Sequence, residues 1–322
     1  MRRRTFAAAL AACFAGASMF PSMALAENNY PAREVKIVIP FAPGGGTDVI
    51  FRVLSDRAEK TLGQTIVPMN MGGAGGSKGS TYAKSQKPDG YTILGGHDFL
   101  FTTYYTGLVN FNYDAFEPVC MLTKTPLTLT VRPGVPYKNA LEMRDYVKAN
   151  PGKVVIAMTP GSMGYVFWKN LSNDWGIDLD KYFKVVIING SGAQMKALLG
   201  GHIDAFAGDI PTDREYVKDG RAKELGVYYG TRLTQAPDVP ALKEYGWSEE
   251  VVVNRFIVAP KGTPKEAIDK LAAAYKAACD DPETAQKIVD LGNIVSYMNP
   301  EETAAFLKRS DELYAKYLSE SK

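Results

Sequence analysis

From residue 30 onward, short apolar runs alternate with stretches in which apolar residues recur every three or four positions. The runs at 35–39, 65–68, 91–94, 127–131, 154–158, 185–188, 205–209 and 256–259 predict strands. Between the first two, Ile50, Val53, Leu54, Ala58 and Leu62 share one face of a helix that starts near Thr47 and stops at Gly63. Further helices are predicted through Tyr82 and Ala83, over 138–149, through Phe167, Trp168 and Leu171, and over 193–199. Thr263-Pro264-Lys265-Glu266 starts another, with a capping box and Pro at the first helical position. Asn299-Pro300-Glu301-Glu302 starts the last one in the same way. This alternation predicts α/β units with mainly parallel sheets.

Four strand-to-helix joints carry glycine turns. The first is Phe41-Ala42-Pro43-Gly44-Gly45-Gly46-Thr47-Asp48, and the second is Gly72-Gly73-Ala74-Gly75-Gly76-Ser77. The third and fourth are Pro160-Gly161-Ser162-Met163-Gly164 and Asn189-Gly190-Ser191-Gly192-Ala193. Glycine lets a backbone approach a ligand, and a helix start offers unpaired N–H groups at the positive end of a dipole. Such turns bind anions without a Lys or Arg; read alone, each is equally an ordinary tight turn. Nucleotide motifs fail on spacing. Lys78 is followed by Gly79 where a phosphate loop needs Ser or Thr, and Lys78 also occupies the third small position of a dinucleotide fingerprint. The expected architecture is two α/β lobes with a ligand cleft between them. Lobe 1 is discontinuous, 27–125 and 253–322, and lobe 2 is 126–252.

The first 26 residues form a separate piece. Arg2, Arg3 and Arg4 precede a small, apolar stretch, and Ala24-Leu25-Ala26 fits a signal-peptide cleavage site after Ala26. Arg3-Arg4-Thr5-Phe6 resembles part of a twin-arginine signal, and Leu10-Ala11-Ala12-Cys13 a lipoprotein box, the minor alternative. Either reading places the protein in the periplasm. Removing the three arginines takes Lys+Arg from 37 to 34 against 35 Asp+Glu, a net charge of −1. That balance gives no basic face for nucleic acid. Cys120 and Cys279 are expected to be separate apolar residues rather than a pair, and no metal-ligand spacing or cofactor motif is present.

The mature chain resembles the substrate-binding proteins of tripartite tricarboxylate transporters, the Bug family. The resemblance rests on Pro40 to Asp48, on Asn70 with Gly73-Ala74-Gly75-Gly76, and on Pro88-Asp89-Gly90-Tyr91-Thr92. It continues through Phe116-Glu117-Pro118-Val119, Asn150-Pro151-Gly152-Lys153, Leu198-Leu199-Gly200-Gly201 with Ile203-Asp204, and Ala236-Pro237-Asp238-Val239-Pro240. It ends on Ala259-Pro260-Lys261-Gly262-Thr263-Pro264. It implies a type II periplasmic-binding-protein fold. It also implies a small organic acid held largely by backbone amides, and two integral membrane subunits as transport partners. Two departures bear on the ligand: Met69 and Met71 flank Asn70, and Ile187-Ile188-Asn189 precedes the fourth turn.

The expected contacts are therefore Phe41, Ala42, Gly44, Gly45, Gly46, Thr47, Asp48, Asn70, Ala74, Gly75, Gly76, Ser77 and His97 from one side. Ser162, Tyr165, Ser191, Gly192, Ala193 and Asp209 come from the other. Thr47 also suits a helix N-cap. Asp48 either lines the cleft or complements the helix dipole. Asp98 and Asp213 are candidates for the rim or for solvated loops, and Arg255, placed before the last strand, is a minor candidate for an anion partner, outside the expected contacts. Trp168 reads as core and His202 as exposed. With few cations near the cleft, a mono- or dicarboxylate is expected, bound by a monomer that performs no chemistry. Two alternatives stand beside this. One is a secreted serine hydrolase using Ser162 or Ser191 with His97; the other is a ligand-sensing receptor not coupled to transport.

Overall fold

The computed structural model describes residues 29–159, 162–188, 190–247 and 251–319. The signal segment, the Cys13 box, Pro160, Gly161 and Asn189 lie outside the described residues. The chain opens with β1 (Val35–Ile39), α1 (Gly46–Leu62), β2 (Ile66–Asn70), a 3-10 turn (Ala74–Gly76), α2 (Ser77–Lys84), β3 (Thr92–Gly96), α3 (Phe99–Tyr105) and β4 (Phe116–Val131). The middle holds α4 (Ala140–Ala149), β5 (Val154–Met158), α5 (Met163–Trp175), α6 (Leu179–Tyr182), β6 (Phe183–Ile187), α7 (Ser191–Leu199), β7 (Ala205–Asp209), α8 (Ile210–Lys218) and β8 (Lys223–Val227). The last third is β9 (Val252–Pro260), α9 (Lys265–Asp280), α10 (Pro282–Asp290), β10 (Ile294–Met298) and α11 (Pro300–Ser319).

The strand order is β2-β1-β3-β9-β4-β7-β5-β6, with β8 and β10 also paired to β4. The expectation of mainly parallel sheets is corrected here. β1 lies parallel to β2 and β3, and β5 parallel to β6 and β7, but every pairing that involves β4 or β9 is antiparallel. The cause is one long strand. β4 runs beside β9 from Phe116 to Pro126 and then, from Leu127, beside β7. Sequence patterning shows only its second part, because Pro118, Lys124 and Pro126 break the apolar run before it.

Two cores cover the first half-sheet. Ile37, Ile39, Ile50, Phe51, Leu54, Leu271 and Tyr275 pack α1 and α9 on one face. On the other face Leu94, Phe101, Phe256 and Tyr314 belong to a cluster that continues into the second half through Met163, Phe167 and Trp168. Trp168 is fully buried, as its pattern predicts, and His202 is exposed. Burying a large apolar side chain is worth about 1.5–3 kcal/mol, so these stripes hold the helices onto the sheet. Both cysteines are buried free thiols.

Helix starts follow their local chemistry with two exceptions. Asn299 and Glu302 form a reciprocal capping box, each side chain bonding the other's N–H at 2.9 Å. At the start of α9 that box does not form: Pro264 is the cap, and the Thr263 hydroxyl donates to Pro260 O at 2.7 Å. At α1 the cap is Gly45, without a side-chain bond, and not Thr47.

Candidate functional site

Sheet register brings the glycine turns together. Ile39, the end of β1, is level with Asn70, the end of β2, so the first two turns leave adjacent strands at one edge. In the other half Met158 is level with Ile187, so the joints after β5 and β6 also leave side by side. The end of β3 pairs Gly96 with Phe256, which pairs with Met121 of β4; the end of β7 pairs Asp209 with Leu127 of the same strand. Six residues of extended strand span about 20 Å. The carboxyl edges of both half-sheets therefore converge where β4 changes partners, and α/β sheets bind ligands at such edges.

The first turn is built without a side-chain cap. The earliest intrahelical bond of α1 is Val49 N–H to Gly45 O, which leaves the N–H groups of Gly46, Thr47 and Asp48 ahead of the ladder. Asp48 is 2 % exposed, and its carboxylate is already engaged. It accepts Gly44 N–H at 2.8 Å, Arg52 Nε–H at 2.9 Å and Asn70 Nδ2–H at 2.8 Å. Burial pushes its pKa up, but the bonds from Arg52, Asn70 and Gly44 outweigh this and hold it below the usual carboxylate range. Asn70 also donates to Phe41 O at 3.1 Å and accepts from Arg52 at 2.8 Å. In this geometry Asp48 and Asn70 fasten the two turns to each other.

The second turn needs its glycines. Gly73, Ala74, Gly75 and Gly76 all have positive φ, and a Cβ on Gly76 would stand 2.6 Å from the Phe99 ring. Ser77, the first residue of α2, has a buried hydroxyl with no hydrogen-bond partner. Phe99 edges against Phe41 (5.5 Å, 82°), and Phe41 stacks on His97 (4.8 Å, 13°). These rings form an apolar wall beside both turns.

His97 is half-buried and accepts the Phe99 N–H on Nδ1 at 3.1 Å, which puts its proton on Nε2. Burial, then the nearby Arg255 charge, pulls its pKa down to about 3. It is thus a neutral donor, unsuited to act as a base near neutral pH. Among the described residues no serine is hydrogen-bonded to either histidine. Ser162 caps α5: its hydroxyl donates to Thr159 O at 2.7 Å and accepts Tyr165 N–H at 3.3 Å. Ser191 begins α7, whose cap Gly190 has φ 88° and makes no side-chain bond; Gly192 and Ala193 are exposed. Asp209 caps α8 by accepting Thr212 N–H at 2.9 Å.

Two acids belong to neither expected place. Asp98 is wholly buried and accepts Asn254 N–H at 2.6 Å and Asn254 Nδ2–H at 3.0 Å; burial pushes its pKa up to about 6. Asp213 is also wholly buried, receiving the Thr128 and Thr130 hydroxyls beneath β7, and burial pushes its pKa well up. Neighbouring Glu224, which sequence patterning did not single out, is raised to about 7 by the same burial. Neither aspartate is a solvated loop residue: Asp98 precedes α3 and Asp213 lies inside α8, and packing covers both.

Arg255 lies inside β9 rather than before it and is 6 % exposed. Its Nε–H donates to Thr47 Oγ1 at 3.3 Å; Nη1 donates to Thr125 Oγ1 and, at 3.1 Å, to Asn293 Oδ1. The adjacent Asn254 points to the opposite face. There it borders a separate cavity of about 450 Å³, lined also by Met163, Trp247, Val252, Phe306 and Tyr314.

Two half-sheets that share β4, with glycine-rich helix starts gathered where that strand crosses over, are the architecture of periplasmic binding proteins. The chain belongs to the tripartite tricarboxylate transporter family receptors, whose TctC sequence model matches residues 50–316. It is 33 % identical over 313 residues to the UPF0065 protein in the gbd 5′ region of Cupriavidus necator, covering 95 % of this chain and 94 % of that protein. The periplasmic binding protein BugD superposes with a TM-score of 0.78 at 32 % identity, over 90 % of this chain and 98 % of its own. MatC from Rhodopseudomonas palustris, solved with bound malate, gives 0.77 at 29 % identity, over 90 % and 100 %.

Proposed function

We propose that this chain is a periplasmic solute receptor that captures a small mono- or dicarboxylate and delivers it to the integral membrane subunits of a tripartite tricarboxylate-type transporter. It is exported by residues 1–26 and acts as a monomer, without catalysis or cofactor. The division is 27–125 with 253–322 against 126–252, hinged where β4 passes from one half-sheet to the other and where the chain returns into β9. The observation that carries this reading is the uncapped start of α1, locked to the second glycine turn through Asp48 and Asn70. Unpaired N–H groups on a rigid frame suit a carboxylate.

In this reading the acid is received by Gly44, Gly45, Gly46 and Thr47 with Ala74, Gly75, Gly76 and Ser77. Phe41, Ala42 and the His97 donor form the adjoining wall. Ser162, Tyr165, Ser191, Gly192, Ala193 and Asp209 close from the other lobe. Malate in the related MatC supports the ligand class. The test is thermal unfolding of residues 27–322 with malate, succinate, adipate, benzoate, amino acids and neutral sugars, after unfolding and refolding to strip bound solute. A ligand at 100 times its Kd adds about 2.7 kcal/mol, a shift of several degrees. A shift with one carboxylate class is expected; no shift with any carboxylate refutes the reading.

A further inference from the structure

We propose that Arg255 reads the charge of the ligand, its Nη2 taking an oxygen of the acid group seated at the start of α1. This deepens the carboxylate-receptor reading and rests on it.

Arg255 is a buried charge with no ion-pair partner among the described residues, Asp209 and Asp98 acting on it only from a distance. The Arg255 side chain is held by three neutral acceptors, Thr47 Oγ1, Thr125 Oγ1 and Asn293 Oδ1. Among the described residues it forms no ion pair with a carboxylate. A buried, unpaired cation is costly, so a fold that needed only a tether here would be better served by a neutral side chain. Burial pulls the guanidinium pKa down to about 10, against the raising influence of Asp209 and Asp98, so it stays charged at neutral pH.

Its remaining nitrogen points to where the anion is expected. Nη2 makes no hydrogen bond among the described residues, and it is not among the polar atoms sealed from solvent. A Cβ added to Gly46 would stand 3.9 Å from it, and Gly46 is the first residue of α1. The free guanidinium corner therefore lies beside the first helical turn, whose N–H groups precede the helical ladder. Three tethers fix the guanidinium plane in advance, so little freedom remains to be lost on binding. Two of those tethers also sit at the crossover. Thr125 lies two residues before β4 changes partners, and Asn293 directly precedes β10. An anion seated on Nη2 would touch the strands on which the two lobes turn.

This places a requirement on the ligand. A full negative charge is needed at this end, because an amide in its place would leave the guanidinium uncompensated. One cation matches one carboxylate; a second acid group would lie along the glycine turns and depend on their dipoles.

The test compares acid with amide. Malate, succinate, adipate and benzoate are each titrated beside the matching amide against wild type, Arg255→Gln and Arg255→Lys, with unfolding temperatures of the unliganded proteins measured alongside. Wild type should prefer the acid by at least ~30-fold, the loss expected when one partner of a buried charge pair is removed. In Arg255→Gln that preference should fall to near one; Arg255→Lys should keep most of it. A residue that only braces the fold would weaken acid and amide together and leave their ratio unchanged, and that result overturns the proposal. So does a wild type that binds acid and amide alike. If no carboxylate binds the wild type, the receptor reading falls and this one with it. If a carboxylate binds wild type and Arg255→Gln with the same acid preference, only the role of Arg255 falls.

Discussion

Replacing Asp48 with Asn would separate a loop fastener from a ligand contact. The carboxylate accepts Gly44 N–H, Arg52 Nε–H and Asn70 Nδ2–H, all between 2.8 and 2.9 Å. An asparagine keeps the shape but only one acceptor oxygen, and turns an NH2 group toward donors. Bonds to a charged group are worth about 1.5–3 kcal/mol each. The Arg52 side chain is 41 % exposed, so its share is screened by solvent. Losing the equivalent of two such bonds, discounted for that exposure, comes to about 3 kcal/mol. For a chain of this size that lowers Tm by roughly 5 °C. The assay is urea unfolding, with the slope on denaturant unchanged, so that the midpoint shift reports stability. Ligand affinity should fall modestly because the turns loosen, yet the preference for acid over amide should persist. A midpoint unchanged within about 0.5 kcal/mol, the usual range for substitutions away from such networks, would refute the reasoning. So would a collapse of the acid preference, which would make Asp48 part of the recognition itself.

Gly208→Ala would place a methyl group onto the Asp213 carboxylate and the Thr130 hydroxyl, so it should destabilise by about 1–3 kcal/mol or block folding; wild-type stability would contradict the packing. Glu224 and Asp98 have pKa values raised to about 7 and about 6 by burial, so the folded state holds their protons more tightly than the unfolded state does. Their stabilisation is complete below their unfolded pKa values and is lost as pH rises through 6 to 7. Tm should therefore fall between pH 5 and 8, and Glu224→Gln should remove part of that slope, up to about 3 kcal/mol; an identical slope in the variant would count against it. Cys120 and Cys279 are buried, with burial raising both thiols and taking Cys279 to about 12. Neither should react with a thiol reagent until the protein unfolds, and prompt labelling of the native protein would overturn this.

The order of most strands, glycine turns and helices was determined by the sequence alone, because each is a local property; β8, β10, α3, α6, α8 and α10 escaped the pattern. A run of β-branched residues, a glycine needing positive φ and an apolar stripe every three or four positions act over a few neighbours. Thus β1, α1, β5 and β7 could be placed from their residues, as could the pairing of Asn299 with Glu302. The short motifs also identified the family. Tertiary structure decided what depends on distant partners. That β4 is one strand serving two half-sheets follows from its pairing with β9 and β7, more than seventy residues on. Asp98 and Asp213 read as loop acids until packing covered them. Thr47 read as a cap until Arg255, 208 residues later, claimed its hydroxyl. The significance of Arg255 was least legible: an arginine in an apolar strand shows its charge in the sequence, but only the fold shows that among the described residues it forms no ion pair and lies beside the start of α1.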